Sequence, residues 1–130
     1  MELNIQKAVY DTLKNSAVLL AKVTGVYDNV PQETKYPYVT IGDDTGIEYD
    51  TDDSTGIEAT ITVHIWSRKS GRKEIKKIMK IIYDVLHRTT LIISGYECIG
   101  CDWEFSETFL DPDGQTKHGV TRFRILAEEE

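Results

Sequence analysis

The sequence is short of most features that would assign a chemistry outright. It has two cysteines and three histidines in 130 residues, and the histidines, at 64, 87 and 118, lack the ligand spacing that would complete a zinc site. Lys and Arg number 15 against 22 Asp and Glu, giving a formal net charge of -7 and a pI near 4.9. That balance argues against a general nucleic-acid binder, which gains affinity by placing positive charge on phosphates. No apolar run approaches the ~20 residues needed to cross a bilayer. The start, MELNIQKAVYDTLKNSAVLLAKV, spaces its charges at helical intervals. It lacks the basic leader, apolar block and small-residue cleavage site of a signal peptide, so the expected home is the cytoplasm or an assembly built there. Neither a nucleophile elbow nor a Walker loop is present. The expectation is no catalysis, no cofactor and no metal.

What is present is the balance of a soluble globular domain, 40% hydrophobic and 28% charged. One domain over residues 1–130 can bury roughly two-thirds of its unfolded surface without a disulfide or metal staple. Ile5, Val9, Leu13, Ala17 and Leu20 recur at spacings of three and four, which predicts a helix over Ile5 to Ala21 with Asn4 as its cap. Gly25, Pro31 and Pro37 then break the period, in a segment read as a short strand and an ordered loop. Strands are expected over Tyr38 to Tyr49 and Ile57 to Trp66. In the second, Ile57, Ala59, Ile61, Val63 and Ile65 alternate with Glu58, Thr60, Thr62, His64 and Trp66. The connection DTDDSTG makes this pair a long hairpin with an acidic, projecting tip.

A second helix is expected over Gly71 to Arg88, with Ile75, Ile78, Met79, Ile82, Val85 and Leu86 as its stripe and Ser70 as its cap. Two closing strands follow, YECIGCDWEFSETF and VTRFRILA, with Ile99, Cys101, Trp103 and Phe105 sharing one parity of the first. The economical packing is a two-layer α+β domain, both helices on one face of a mainly antiparallel sheet. The opposite face would carry Trp66, Tyr96, Arg122 and Arg124, either as a partner surface or as ordinary half-exposed sheet.

Seven bases, Arg68, Lys69, Arg72, Lys73, Lys76, Lys77 and Lys80, lie between His64 and Ile82. On the helix they avoid the apolar stripe, as on any solvated face. Arg68, Lys69, Arg72 and Lys73 crowd the helix start, the wrong end for cations by about 0.3–1 kcal/mol each. An acidic protein surface or a phosphate there would remove the penalty. All three readings stay open, although SRKSGRK lacks the Walker spacing. CIGC has the metal-ligand spacing of half a zinc site, but in an unbroken strand its cysteines point to opposite faces, so core packing is the leading reading over metal or redox use. The acidic stretch Asp43 to Glu58 misplaces the glycine and glutamate of a calcium loop.

Three blocks carry a resemblance. They are VYDNVPQETKYPYVTIGDD (Val26 to Asp44), ITVHIWSRKSGRKEIKKI (Ile61 to Ile78) and DPDGQTKHGVTRFRI (Asp111 to Ile125). In this order they resemble small tail-completion and tail-terminator (head-tail joining) proteins of long-tailed bacteriophages, prophages and gene transfer agents. The resemblance implies a small α+β domain without catalytic residues or cofactor. It also implies a homo-hexameric ring that ends tail-tube growth and joins the tail to the head connector. The partners would be the tail-tube protein and the connector protein. DNA would pass through without specific binding, and no membrane would be involved. The location would be the head-proximal end of the virion tail, after a stage in the host cytoplasm.

On that implication the acidic tip, Asp50, Asp52 and Asp53, would line the channel or meet a basic neighbour. The remaining interface candidates are Arg68, Lys69, Arg72 and Lys73 at the helix start, and Trp66, Arg122 and Arg124 on the open face. The basic helix start and the acidic hairpin would be a complementary pair between subunits. Two other functions stay open beside it: a small adaptor recognising an acidic protein surface, and a carboxylate-dependent hydrolase.

Overall fold

In a computed structural model, describing residues 2–51 and 54–130, the two apolar stripes and the alternating segments form two layers. The elements run α1 (Glu2–Lys14), α2 (Ala17–Leu20), β1 (Val26–Tyr27), β2 (Tyr38–Glu48), β3 (Gly56–Ser67), α3 (Lys73–Leu86), β4 (Tyr96–Leu110) and β5 (Lys117–Glu129). The five strands form one sheet in the order β1-β2-β3-β5-β4. Every neighbouring pair is antiparallel except the two-residue β1–β2 pair. This is the expected α+β architecture.

The core lies between the helices and one sheet face. Ile5, Val9 and Leu13 of α1 and Ile75, Ile78, Ile82 and Leu86 of α3 are buried there. They meet Ile57, Ala59, Ile61, Val63 and Ile65 of β3 and Phe123, Ile125 and Ala127 of β5. The alternation read in β3 is the one observed. Helix α3 packs tightly on the sheet at Gly119, where an added Cβ would stand 3.0 Å from Ile75 Cδ1 and 3.1 Å from Met79 Sδ. A side chain there would push the helix outward.

Several expectations are corrected. The first helix is two, because the chain breaks at Asn15 and Ser16 caps α2 by accepting from the Leu19 amide at 3.2 Å. The break shifts the helical phase, so Leu19 is buried while Ala17 and Leu20 are exposed. Asn4 lies inside α1, and its amide donates to the Ser94 carbonyl at 2.8 Å. Ser70 does not cap α3; Arg72 holds that position with no side-chain bond.

Strand β4 departs most from its pattern. Register shifts between Cys98 and Gly100 and between Trp103 and Phe105 break its parity. Each extra residue flips the faces that follow it. Cys98 opposes Ala127 and Cys101 opposes Ile125, so both cysteines lie on the helix side and not on opposite faces. Burial, with Cys98 nearby, pushes the Cys101 thiol up to about 12, which leaves it inert packing. Tyr96 also packs against the core, whereas the alternation placed it on the open face. The β2–β3 hairpin is present, but only its β2 limb runs exposed, from Asp43 to Glu48. Its β3 limb stays within the sheet, paired with β5 from Gly56 to Ser67. No helix among the described residues is long and apolar enough to cross a membrane.

Candidate functional site: an open sheet face between two charged ends

The face away from the helices is built from the polar positions of the strands. At one end a single cross-strand row holds Tyr38, Trp66, His118 and Phe109, one from each of four strands. The Trp66 and His118 rings stack at 3.8 Å between centroids, and Tyr38 stacks on Trp66 at 6.3 Å. Such pairs contribute about 0.5–1.5 kcal/mol beyond area burial. With Asp28, Asn29 and Val30 as a wall, Tyr38, His64, Trp66 and His118 line a cleft of about 470 Å³.

Behind the row lies a chain of titratable groups. His64 Nε2 meets Asp43 Oδ2 at 2.9 Å, His64 Nδ1 meets His118 Nε2 at 2.7 Å, and His118 Nδ1 stands 3.7 Å from Asp111 Oδ1. The hydrogen-bond network assigns the protons. Two neutral rings satisfy both short contacts, with His64 Nε2–H donating to Asp43 and His118 Nε2–H donating to His64. A further proton on His118 would face Asp111. Burial, and then the neighbouring His64, nevertheless lowers the His118 pKa below its usual 6.5. Asp43 sits at φ 49° within the register shift between Gly42 and Thr45, a conformation that costs a non-glycine residue of order 1 kcal/mol or more. Its side chain is held by His64, and its carbonyl accepts from Thr62 Oγ1 at 3.1 Å.

Further along the face, the two arginines are already partnered. Arg124 Nη1 lies 3.0 Å from Glu58 and Arg122 Nη2 lies 3.2 Å from Glu104. The Arg122 guanidinium also stacks over Phe105 at 4.6 Å. Glu58 raises the Arg124 pKa further above its ordinary value.

The expected helix-start cluster divides. Arg68 turns away from it, stacking on Tyr36 at 4.6 Å, donating through Nε to Thr116 and reaching Asp113 at 3.6 Å. Asp113 is held down to about 2 by hydrogen bonds from the Thr116 hydroxyl and the Thr116 and Gln115 amides. Lys69 and Lys73 stay exposed and share a cleft of about 320 Å³ with Lys22, Lys77 and Glu74. Glu74 turns inward to accept from Ser67 Oγ at 2.7 Å. Among the described residues, Lys22, Lys69, Arg72, Lys73, Lys76 and Lys77 all lack an ion-pair partner.

The opposite end of the sheet collects acids. Register and backbone bonds bring together Gly56 with Glu128, Glu97 with Glu128, the Glu129 amide with the Thr55 carbonyl, and the Glu130 amide with the Gly95 carbonyl. Glu48 and Asp50 lie beside them on the hairpin, Asp50 accepting from the Gly56 amide at 3.1 Å. Among the described residues, no group of three His, Cys, Asp or Glu is placed to hold a metal ion.

The tail completion protein gp17 family matches residues 7–128 of this chain. The chain belongs to that family. Tail completion protein gp17 of Bacillus phage SPP1 is 28% identical over 121 residues, covering 93% of this chain and 90% of the relative. The structure of the bacteriophage SPP1 gp17 protein superposes with a TM-score of 0.66 at 27% identity, over 95% of this chain and 88% of that one. A chain from the virion of a native gene transfer agent particle superposes with a TM-score of 0.88, at 24% identity and over 95% and 93% of the two chains. The family expected from the three blocks is thus the family found, and the protein is a structural component of tail completion.

The family blocks can now be placed. They supply three of the row's four rings and both histidines, since Tyr38, Trp66 and His118 each come from a different block and His64 lies in the second. The sequence expectation named Trp66 and missed its partner His118, 52 positions away and paired only by sheet register. It missed Lys22 for the same reason, because the turn after α2 is brought to α3 by packing alone. Of the interface candidates, Lys69, Arg72 and Lys73 are exposed and unpaired among the described residues. Arg68, Arg122 and Arg124 are paired, and Trp66 is half-buried in the row. Asp50 is exposed, while Asp52 and Asp53 lie outside the described residues.

Proposed function

We propose that this protein caps the growing end of a phage tail tube and joins the tail to the head connector as a homo-hexameric ring. The observation that carries this reading is the family match over residues 7–128, nearly the whole chain. The likeness to a chain of an assembled gene transfer agent virion supports it, since the same fold is compatible with a subunit's place in a particle. The tail-tube protein and the connector are the partners. DNA passes through the ring without specific binding, because a subunit of net charge -7 gives phosphates little to hold. Lys69, Arg72, Lys73 and Asp50 are the candidate contact residues with free charge, and Trp66 sits in the cleft of the open face.

The test is deletion of the gene in its phage or prophage, followed by electron microscopy of the lysate. The expected result is filled heads separated from tails, with tails of uncontrolled length, and rescue by the gene in trans. Particles with normal, attached tails would overturn the proposal.

A further inference from the structure

Strand β3 connects the two charged ends of the molecule. Its first residue, Gly56, adjoins the acidic end, and its last, Ser67, leads into the basic start of α3. Its 12 residues span roughly 36 Å at ~3.3 Å per step. The Debye length near physiological salt is only about 8 Å, so the ends do not neutralise each other within one subunit. Elsewhere part of the charge is paired locally, Lys7 with Asp11, Lys80 with Asp84, Arg122 with Glu104 and Arg124 with Glu58, whereas six cations without an ion-pair partner among the described residues gather around the start of α3. The ends therefore stand out as unpaired charge of opposite sign at opposite poles, in a chain whose net charge of -7 would otherwise repel its own copies.

Resting on the ring proposed above, we infer that the basic pole around Lys69, Arg72 and Lys73 docks on the acidic pole around Glu48, Glu97 and Glu129 of a second copy of this chain. The contact is heterologous, one surface of each subunit meeting a different surface of the next, which is the kind of contact a cyclic ring repeats. It explains why cations occupy the unfavourable end of a helix dipole: the neighbour's carboxylates supply the negative charge that the helix start lacks. Glu74, the acid in the first turn, accepts from Ser67 at 2.7 Å, and its single negative charge is outnumbered by Lys69, Arg72, Lys73 and Lys77, so that end stays basic.

The poles can be exchanged separately. Arg72→Glu with Lys73→Glu makes both ends acidic, and Glu48→Lys with Glu129→Lys makes both ends basic. All four positions are exposed, and an acid at the start of α3 favours the helix, so the first variant should melt no lower than wild type. Sedimentation velocity at high protein concentration is read at ~0.05 M and ~0.5 M salt. Wild type is expected to self-associate at low salt and dissociate at high salt. Each double variant alone should lose the associated species, and an equal mixture of the two should recover it, since each reversed pole then meets its complement. Wild type that stays monomeric at low salt overturns the inference, as does association unaffected by either variant, or a mixture that fails to recover. The deletion strain separates this result from the functional reading. Attached, length-controlled tails rescued by the Arg72→Glu/Lys73→Glu protein would remove the interface and leave the ring standing.

Discussion

Replacing Phe123 by alanine is expected to lower the unfolding free energy by about 3–5 kcal/mol. Phe123 is 1% exposed, the largest of the fully buried side chains, and lies in the middle of β5 opposite Ile61 on one side and Trp103 on the other. Helix α3 closes over this sheet face, so truncation leaves a cavity between layers that cannot collapse without moving the helix. A domain is stable by only about 5–15 kcal/mol, so the loss is a large share. Chemical denaturation should show a lower midpoint with an unchanged slope. Phe123→Leu, which keeps most of the volume, should recover the greater part. Arg124→Ala, one residue along but on the open face, should leave the midpoint nearly where it was, because exposed ion pairs add little. A Phe123→Ala midpoint equal to that of Arg124→Ala would mean that the layer contact is not where the structure puts it.

The contrast between Phe123 and Arg124 also shows what the sequence makes legible. Strict alternation in β3 and β5 gives the two faces correctly, because strands paired on both sides have no freedom to shift register. The α3 stripe is equally plain, being long, strongly periodic and bounded by Gly71. The misreadings arise where one residue changes the phase. The single break at Ser16 exchanged the buried roles of Leu19 and Leu20. Two register shifts in the edge strand β4 moved Cys98, Tyr96 and Phe105 to faces that simple parity denied them. Edge strands tolerate such bulges because one side has no partner to enforce spacing. The candidate site was legible as composition but not as geometry. The bases near α3 were visible as a run, yet whether Arg68 belonged with them depended on Tyr36 and Asp113, both distant in sequence. The acidic pole was invisible in part, because Glu97 and Glu128 come from separate strands and meet only through the β4–β5 register. The histidine pair was hidden for the same reason, its members 54 residues apart.

That pair leads to the second large effect. His64→Leu alone is expected to cost about 1–3 kcal/mol, because it strips a buried ring of its hydrogen-bond partner. The His118 side chain is 11% exposed, so water replaces the lost contact poorly, whereas Asp43, at 78%, is easily hydrated. The double variant His64→Leu/His118→Leu should be more stable than the single one, since removing both polar partners leaves nothing buried and unsatisfied. Its pH profile should differ as well. The folded pKa of His118 lies below 6.5 through burial and His64, so on acidification the unfolded chain binds that proton first. Stability is therefore fully present above about 6.5 and declines as the pH falls through the interval down to the folded value. The groups facing the pair are Asp43 from β2 and Asp111 from the β4–β5 turn, with Tyr38 and Arg68 at the edge of the row. The two carboxylates oppose the decline without reversing it, because burial is the leading cause of the shift. Denaturant melts at about pH 7.5 and 5.5 should show wild type losing stability across the interval and the double variant losing distinctly less. An equal loss in both would place the acid sensitivity elsewhere, and a double variant less stable than His64→Leu would mean that His118 is held by its stacking on Trp66 more than by its partner.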